Sequence, residues 1–301
     1  SCRSIYPHNI KICLGGDLLL TMNKKTINSF ICACLFFTSL LVGCSKDENS
    51  EKKKNLSGLS VLGIRISEPE VSPGNTVSVS PLISDINGQG RTLTITAEAC
   101  AVPTNFNPLS PSCASEPTKL KLVPTAPTLV GPLYTAYTAS TSLTVPATFL
   151  MGKSTVDQFN GVSYLIVFNI LAADGSGVSA FSRVLVSSRP QKNKNPEITD
   201  ITVAAKPLST MPTEKVAVST TVPASSTETY PELSDPATTV EKIEQLTTAW
   251  FSTEGTFAKN STVNPATNEY EPGSKPKGRP SLLVIIVRDD RGGEQALIRA
   301  L

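Results

Sequence analysis

The chain has 301 residues, 40% of them hydrophobic and 17% charged, with 27 Lys and Arg against 25 Asp and Glu. That composition supports buried cores and excludes a disordered polypeptide, and the length suits two domains better than one. Residues 1–43 hold four of the basic residues and one of the acidic ones, leaving 23 basic against 24 acidic downstream. So neutral a body gives no electrostatic reason to expect nucleic acid as a partner.

Met22-Asn-Lys-Lys25 is a short basic start, Phe30 to Gly43 is a 14-residue, mostly apolar run, and a small residue, Gly43, precedes Cys44. That is the anatomy of an export signal over residues 22–43. The run is short of the roughly 20 apolar residues that a spanning helix needs. Residues 1–21 precede a signal that is already complete from Met22, and read as an upstream mis-start or an extension of the leader. Residues 44–57 follow as a disordered tether: Ser45 to Ser57 is charged and has no periodicity that could bury a face. Lys52, Lys53 and Lys54 add little affinity for anionic lipid.

At this junction Leu41-Val42-Gly43-Cys44 resembles the lipobox of bacterial lipoproteins. The resemblance implies cleavage before Cys44, a diacylglycerol on its thiol and an acyl chain on its new amine, so that the lipid bilayer is a partner. Each buried methylene contributes about 0.8 kcal/mol, and several chains hold durably where one does not. Ser45 after the cysteine, rather than Asp, points to the outer membrane of the bacterial envelope, with the face left open.

The body carries an internal repeat. Asp174 to Leu185, DGSGVSAFSRVL, and Asp290 to Leu301, DRGGEQALIRAL, align without a gap, and each follows an apolar run, Tyr164–Leu171 and Leu282–Val287. Both read as strand, Gly-containing turn, strand. Val71–Ser80 and Ser209–Ser219 echo one another upstream. Residues 58–188 are therefore one β-sandwich module with a long loop at 114–162 and two strands within it. Residues 189–196 are a Pro-bounded, semi-rigid linker, and 197–301 a second module. Alternation places Leu93 and Ile95 on a strand from Thr92 to Ala99, and it places Ile166, Phe168, Leu283, Ile285 and Trp250 in cores. Trp250 reads as core rather than as an exposed ligand platform. The one helical candidate, Thr239 to Leu246, is short and contains β-branched residues.

The fold class is thus all-β. Repeated Pro-bounded strands ending in a hairpin resemble the tandem immunoglobulin-like and PKD-like sandwiches of bacterial envelope proteins, over residues 58 to 301. Neither copy has the disulfide and tryptophan spacing of antibody domains.

With no histidine after His8, the body has no Ser-His-Asp triad, Cys-His pair or His-rich zinc site. Cys100 and Cys113 flank a Pro-containing loop and, in an exported protein, read as a disulfide. Asp289 and Asp290 are a poor pair for glycoside hydrolysis, because neighbours on a strand face opposite ways, and they read as turn residues. Asp85-Ile86-Asn87-Gly88 reads as a turn rather than a calcium loop. A calcium site at the module junction would draw on Glu197, Asp200 and Asp174, against the charges of Lys192 and Lys194; no other cofactor is expected. The functional expectation is a non-catalytic binding or structural role with an envelope protein or glycan as partner. An accessory subunit of an envelope complex is the alternative, and a carboxylate-based hydrolase comes third.

Overall fold

The computed structural model describes residues 56, 58–129, 134–263, 266–275 and 281–301, which lie in one compact unit, Lys53–Leu301. The expected signal over 22–43, Cys44 and the expected tether 44–57 except Leu56 lie outside the described residues.

Nine strands build the first sandwich: β1 (Ser60–Ile66), β2 (Glu70–Val71), β3 (Thr76–Ser84), β4 (Leu93–Ala101), β5 (Leu120–Leu122), β6 (Thr135–Tyr137), β7 (Thr141–Thr144), β8 (Val162–Ala172) and β9 (Gly177–Val186). In one sheet β3 pairs with β1, β6 and β7; the other runs β2-β9-β8-β4-β5. Every pair is antiparallel except β2 with β9, which is parallel.

The second sandwich uses β10 (Asp200–Val203), β11 (Lys206–Pro207), β12 (Val216–Thr221), β15 (Thr247–Ser252), β16 (Thr256–Phe257), β17 (Ser261–Val263), β18 (Thr267–Glu271), β19 (Leu282–Arg288) and β20 (Glu294–Ala300). Its sheets run β11-β10-β12-β18-β16 and β17-β15-β19-β20. Between β12 and β15 the chain makes a separate two-stranded ribbon, β13 (Thr229–Asp235) and β14 (Thr238–Ile243). With β10, β12, β18 and β16 facing β15, β19 and β20, the strand order is that of the immunoglobulin-like sandwich, and the first sandwich repeats the plan. The repeated sequences are the β8–β9 and β19–β20 hairpins.

Each sandwich has its own core. Ile64, Val77, Val79, Leu143, Ile166 and Phe168 fill the first, while Trp250, Ile201, Val218, Tyr270, Leu283 and Ile285 fill the second. A third apolar layer joins them, with Leu56, Leu62, Leu82 and Ile86 against Phe251, Leu282, Val284 and Ile286. The sheet of β15 and β19 is therefore covered on both faces. That is why β19 reads LLVIIV rather than alternating.

Trp250 is 1% exposed, and its indole Nε1 donates to the Thr262 hydroxyl at 3.0 Å. Leu93 is buried, and half-buried Ile95 packs against the same apolar cluster. The strand expected over Thr92–Ala99 runs from Leu93 to Ala101.

The segment 114–162, expected as a long loop with two strands, holds three short ones among its described residues: β5, β6 and β7 pair with neighbouring strands, and Thr155–Asn160 is a helix, α1, capped by Ser154, whose hydroxyl accepts from the Asp157 amide at 3.0 Å. Short strands interrupted by proline gave no periodicity to read. Thr239–Leu246, a poor helix candidate for its β-branched residues, has Thr239, Val240 and Ile243 in β14. In the segment 189–196, expected as a semi-rigid linker, Arg189 and Asn193 are buried.

Cys100 and Cys113 form a disulfide with a Cα–Cα distance of 5.9 Å. The loop between them folds over the outer face of β8, where Leu165 and Val167 pack with Val102, Phe106 and Phe181. This cover makes β8 apolar on both faces. Replacing both cysteines by serine should lower stability by about 3 kcal/mol, as loop entropy returns to the unfolded chain, and urea unfolding of the two forms measures the difference.

Candidate functional site at the junction of the sandwiches

The turn from Asp289 to Gly293 between β19 and β20 meets the end of β9, strand β2 and the segment 187–195. Asp and Gly suit a tight turn, and Gly292 adopts φ +98°, a left-handed conformation that favours glycine. Asp289 closes the turn on itself: its carboxylate accepts from the amides of Arg291 (2.8 Å) and Gly293 (2.7 Å) and from Asn193 Nδ2 (3.1 Å). Burial nonetheless holds its pKa above the usual carboxylate range.

Arg291 projects from this turn into the junction. Its guanidinium donates to Glu70 of β2, to Glu244 Oε1 at 3.0 Å and to Glu228 at 3.5 Å, and stands 4.3 Å from the centre of the Tyr230 ring. Glu70 is fully buried, and it also accepts from Ser187 Oγ and from the Asn193 amide at 3.0 Å. Arg189 approaches Glu70 to 3.5 Å and stacks on Phe159 and Tyr230. Desolvation lowers the pKa of Arg189 against the pull of Glu70, and burial likewise lowers that of Lys192. Burial pushes the Glu244 carboxyl up to about 7.

A second cluster bridges β1 and β20. Arg288 pairs with Glu294 at 2.7 Å and donates to the Leu62 carbonyl at 2.7 Å. Burial raises the Glu294 pKa, opposed by Arg288. A Cβ on Gly63 would stand 2.0 Å from Glu294 Oε1, so a side chain there would force that carboxylate to shift. The Asn195 amide donates to the Ile66 carbonyl at 2.9 Å, and its oxygen accepts from the Glu294 amide at 2.9 Å.

A groove opens beside these clusters in two lobes of about 320 and 440 Å³, meeting at Phe181, Ser182, Asp289 and Gly292. On its rim the Arg183 guanidinium lies over Phe106 at 5.1 Å and near Phe181 at 5.7 Å. The raised carboxyls at the junction are each held by a guanidinium or amide, an arrangement that fixes geometry.

Of the residues singled out from sequence, Asp289 is at the junction and Asp290 is exposed in the same turn. The calcium set is not gathered. Asp174 pairs with Arg91, which also binds Asp85, while Asp200 faces Arg299. Among the described residues no group of three or more His, Cys, Asp or Glu could hold an ion. Asp85–Gly88 is a turn containing a short 3₁₀ helix.

Glu70, Arg189, Glu244 and Arg291 were not foreseen. The repeat held one signal: Arg291 stands where the first copy has Gly175, and Glu294 where it has Val178. Departures from a repeat mark what one copy does that the other does not.

No protein-family model and no curated protein sequence matches this chain. Solved structures similar to it include the following three. The three N-terminal domains of the bacteriophage RB49 Highly Immunogenic Outer Capsid protein match at 11% identity and TM-score 0.21, over 81% of this chain and 58% of that one. The D0-D1 domain of intimin matches at 8% and 0.19, over 80% and 99%. Escherichia coli alpha-2-macroglobulin activated by porcine elastase matches at 11% and 0.23, over 83% and 22%. Scores this low say nothing of function, and the strand order stands by itself.

Two predictions follow from the charges. Glu70→Ala leaves Arg189 and Arg291 buried without their shared carboxylate and should cost about 3–5 kcal/mol in urea unfolding. Glu244 has a folded pKa above its unfolded value, so its contribution is fully present below about 4.5 and is lost as pH rises through about 7. Glu244→Gln should flatten the dependence of the urea midpoint on pH over that window.

Proposed function

We propose that this chain is a lipid-anchored protein of the bacterial envelope, held through Cys44 at the outer membrane. Its two sandwiches act as one non-catalytic binding or structural body. The observation that supports this reading is the junction: an apolar layer and a buried charge cluster fix two sandwiches that the sequence separates by only a short segment. A body built to hold two surfaces at a fixed angle suits recognition of a large partner, an envelope protein or a glycan, better than turnover of a small molecule. Glu244, Asp289 and Glu294 have the raised pKa values expected of proton-transfer groups, yet Arg291, the turn amides and Arg288 occupy them.

The anchor also suits the body. Leu56, within the segment 44–57 expected to be a disordered tether, is instead buried in the layer between the sandwiches, and its amide donates to the Ser252 carbonyl at 3.0 Å. An anchor ahead of Leu56 would present the whole body, not one sandwich, to its surroundings. Cys44→Ala should abolish acyl labelling and membrane retention. Retention without acylation would instead favour a membrane-spanning signal. In-cell crosslinking and pull-down of the tagged chain would recover the partner.

A further inference from the structure

The ribbon of β13 and β14 belongs to neither sandwich, and its two edges are treated differently. On β13, Pro231 has no amide hydrogen to offer, and the Asn160 side chain caps Leu233 twice, donating to its carbonyl and accepting from its amide at 2.8 Å each. These contacts show that Pro231 and Leu233 point their main-chain groups away from β14. The facing pairs Glu232↔Val240 and Tyr230↔Lys242 therefore carry the bonds within the ribbon. It follows that Thr239, Glu241 and Ile243 direct their amides and carbonyls to the outer edge of β14. Among the described residues no main-chain bond to them from that side is found.

That edge is open in every sense. All six residues of β14 are exposed, which holds for no other described strand longer than two residues, and Ile243 is 72% and Val240 44% exposed. Folded proteins ordinarily block such an edge, as this one does on β13. An edge of this kind accepts another strand.

We propose that the strand it accepts is β14 of a second copy of this chain. The argument is complementarity. An antiparallel pair related by a twofold axis must have one residue opposite itself. Centring on Thr239 or Ile243 pairs three or fewer residues of β14 with the second strand, and centring on Glu241 or Lys242 sets like charges directly opposite, which is unfavourable. Centring on Val240 sets Val240 against Val240 of the second copy, Glu241 against Thr239, and Lys242 against Thr238. No like charges then face each other, the exposed valine is covered, and Thr239 and Glu241 form two bonded pairs across the edge. Val240 falls at a pair without main-chain bonds, where the Cα atoms lie closest, about 4.5 Å apart. The pairing does not depend on whether Cys44 carries lipid.

That register predicts a symmetric crosslink. In the full chain, Val240→Cys should form a disulfide-linked dimer under mild oxidation, read on a non-reducing gel. Its rate should exceed roughly tenfold that of Leu109→Cys, a 94% exposed position that reports random collision. The unsubstituted chain shows any background from its own cysteines. Val240→Lys, at an exposed position that folding does not need, should abolish self-association in sedimentation by setting two cations face to face. Thr239→Lys should strengthen it by placing a cation opposite Glu241 of the second copy. The proposal is overturned if Val240→Cys crosslinks no faster than Leu109→Cys, if Lys242→Cys or Glu241→Cys links to itself faster, or if Val240→Lys leaves the association unchanged.

Discussion

A carboxylate with no solvent contact has to be surrounded by donors, and Glu70 obtains its donors from segments far apart in the chain. Arg291 arrives from the second sandwich, Arg189 and the Asn193 amide from the segment between the two, and Ser187 from the end of β9. Satisfying one side chain thus fixes where the β19–β20 turn, the connecting segment and β2 stand relative to each other. Buried ion pairs add little net stability over apolar substitutes, because desolvation of both charges offsets their attraction. What they impose is geometry, since any other docking of the two sandwiches would strand several charges.

The apolar layer supplies what the charges do not. Phe251, Val284 and Ile286 on one side meet Leu62 and Leu82 on the other, and burial of such side chains contributes about 1.5–3 kcal/mol each. Greasy contact is tolerant of sliding, whereas the Arg288, Glu294 and Asn195 bridges to β1 are not. The two kinds of interaction divide the labour: one favours association, the other selects a single register. Gly63 shows how tight the selection is, since the smallest side chain there would displace Glu294.

Much of the fold was legible because β patterning is local. The β8–β9 and β19–β20 hairpins follow from apolar runs and turns containing Asp and Gly, and the Cys100–Cys113 bridge follows from the export reading and the Pro-containing loop between the cysteines. The junction was not legible, because it depends on residues brought together over large separations, such as Glu70 with Arg291. Trp250 could be placed by alternation, but Ala249 and Phe251 on its other side could not, since only the docked first sandwich buries them. The helix α1 escaped for a different reason: six residues leave no period to detect. Arg189 reads as part of a semi-rigid linker because the groups that bury it, Glu70 and Tyr230, are distant in the chain.

The bond between the Leu56 amide and the Ser252 carbonyl has a mechanical consequence. A pull arriving through the residues before Leu56 does not enter the first sandwich alone, because that bond hands part of the load to β15 of the second. The remainder passes into β1, whose bonds to β3 lie across the strand and share a force along it in parallel. The segment 189–196 is bypassed on this route. Tension would therefore be borne by the two sandwiches side by side, not in series.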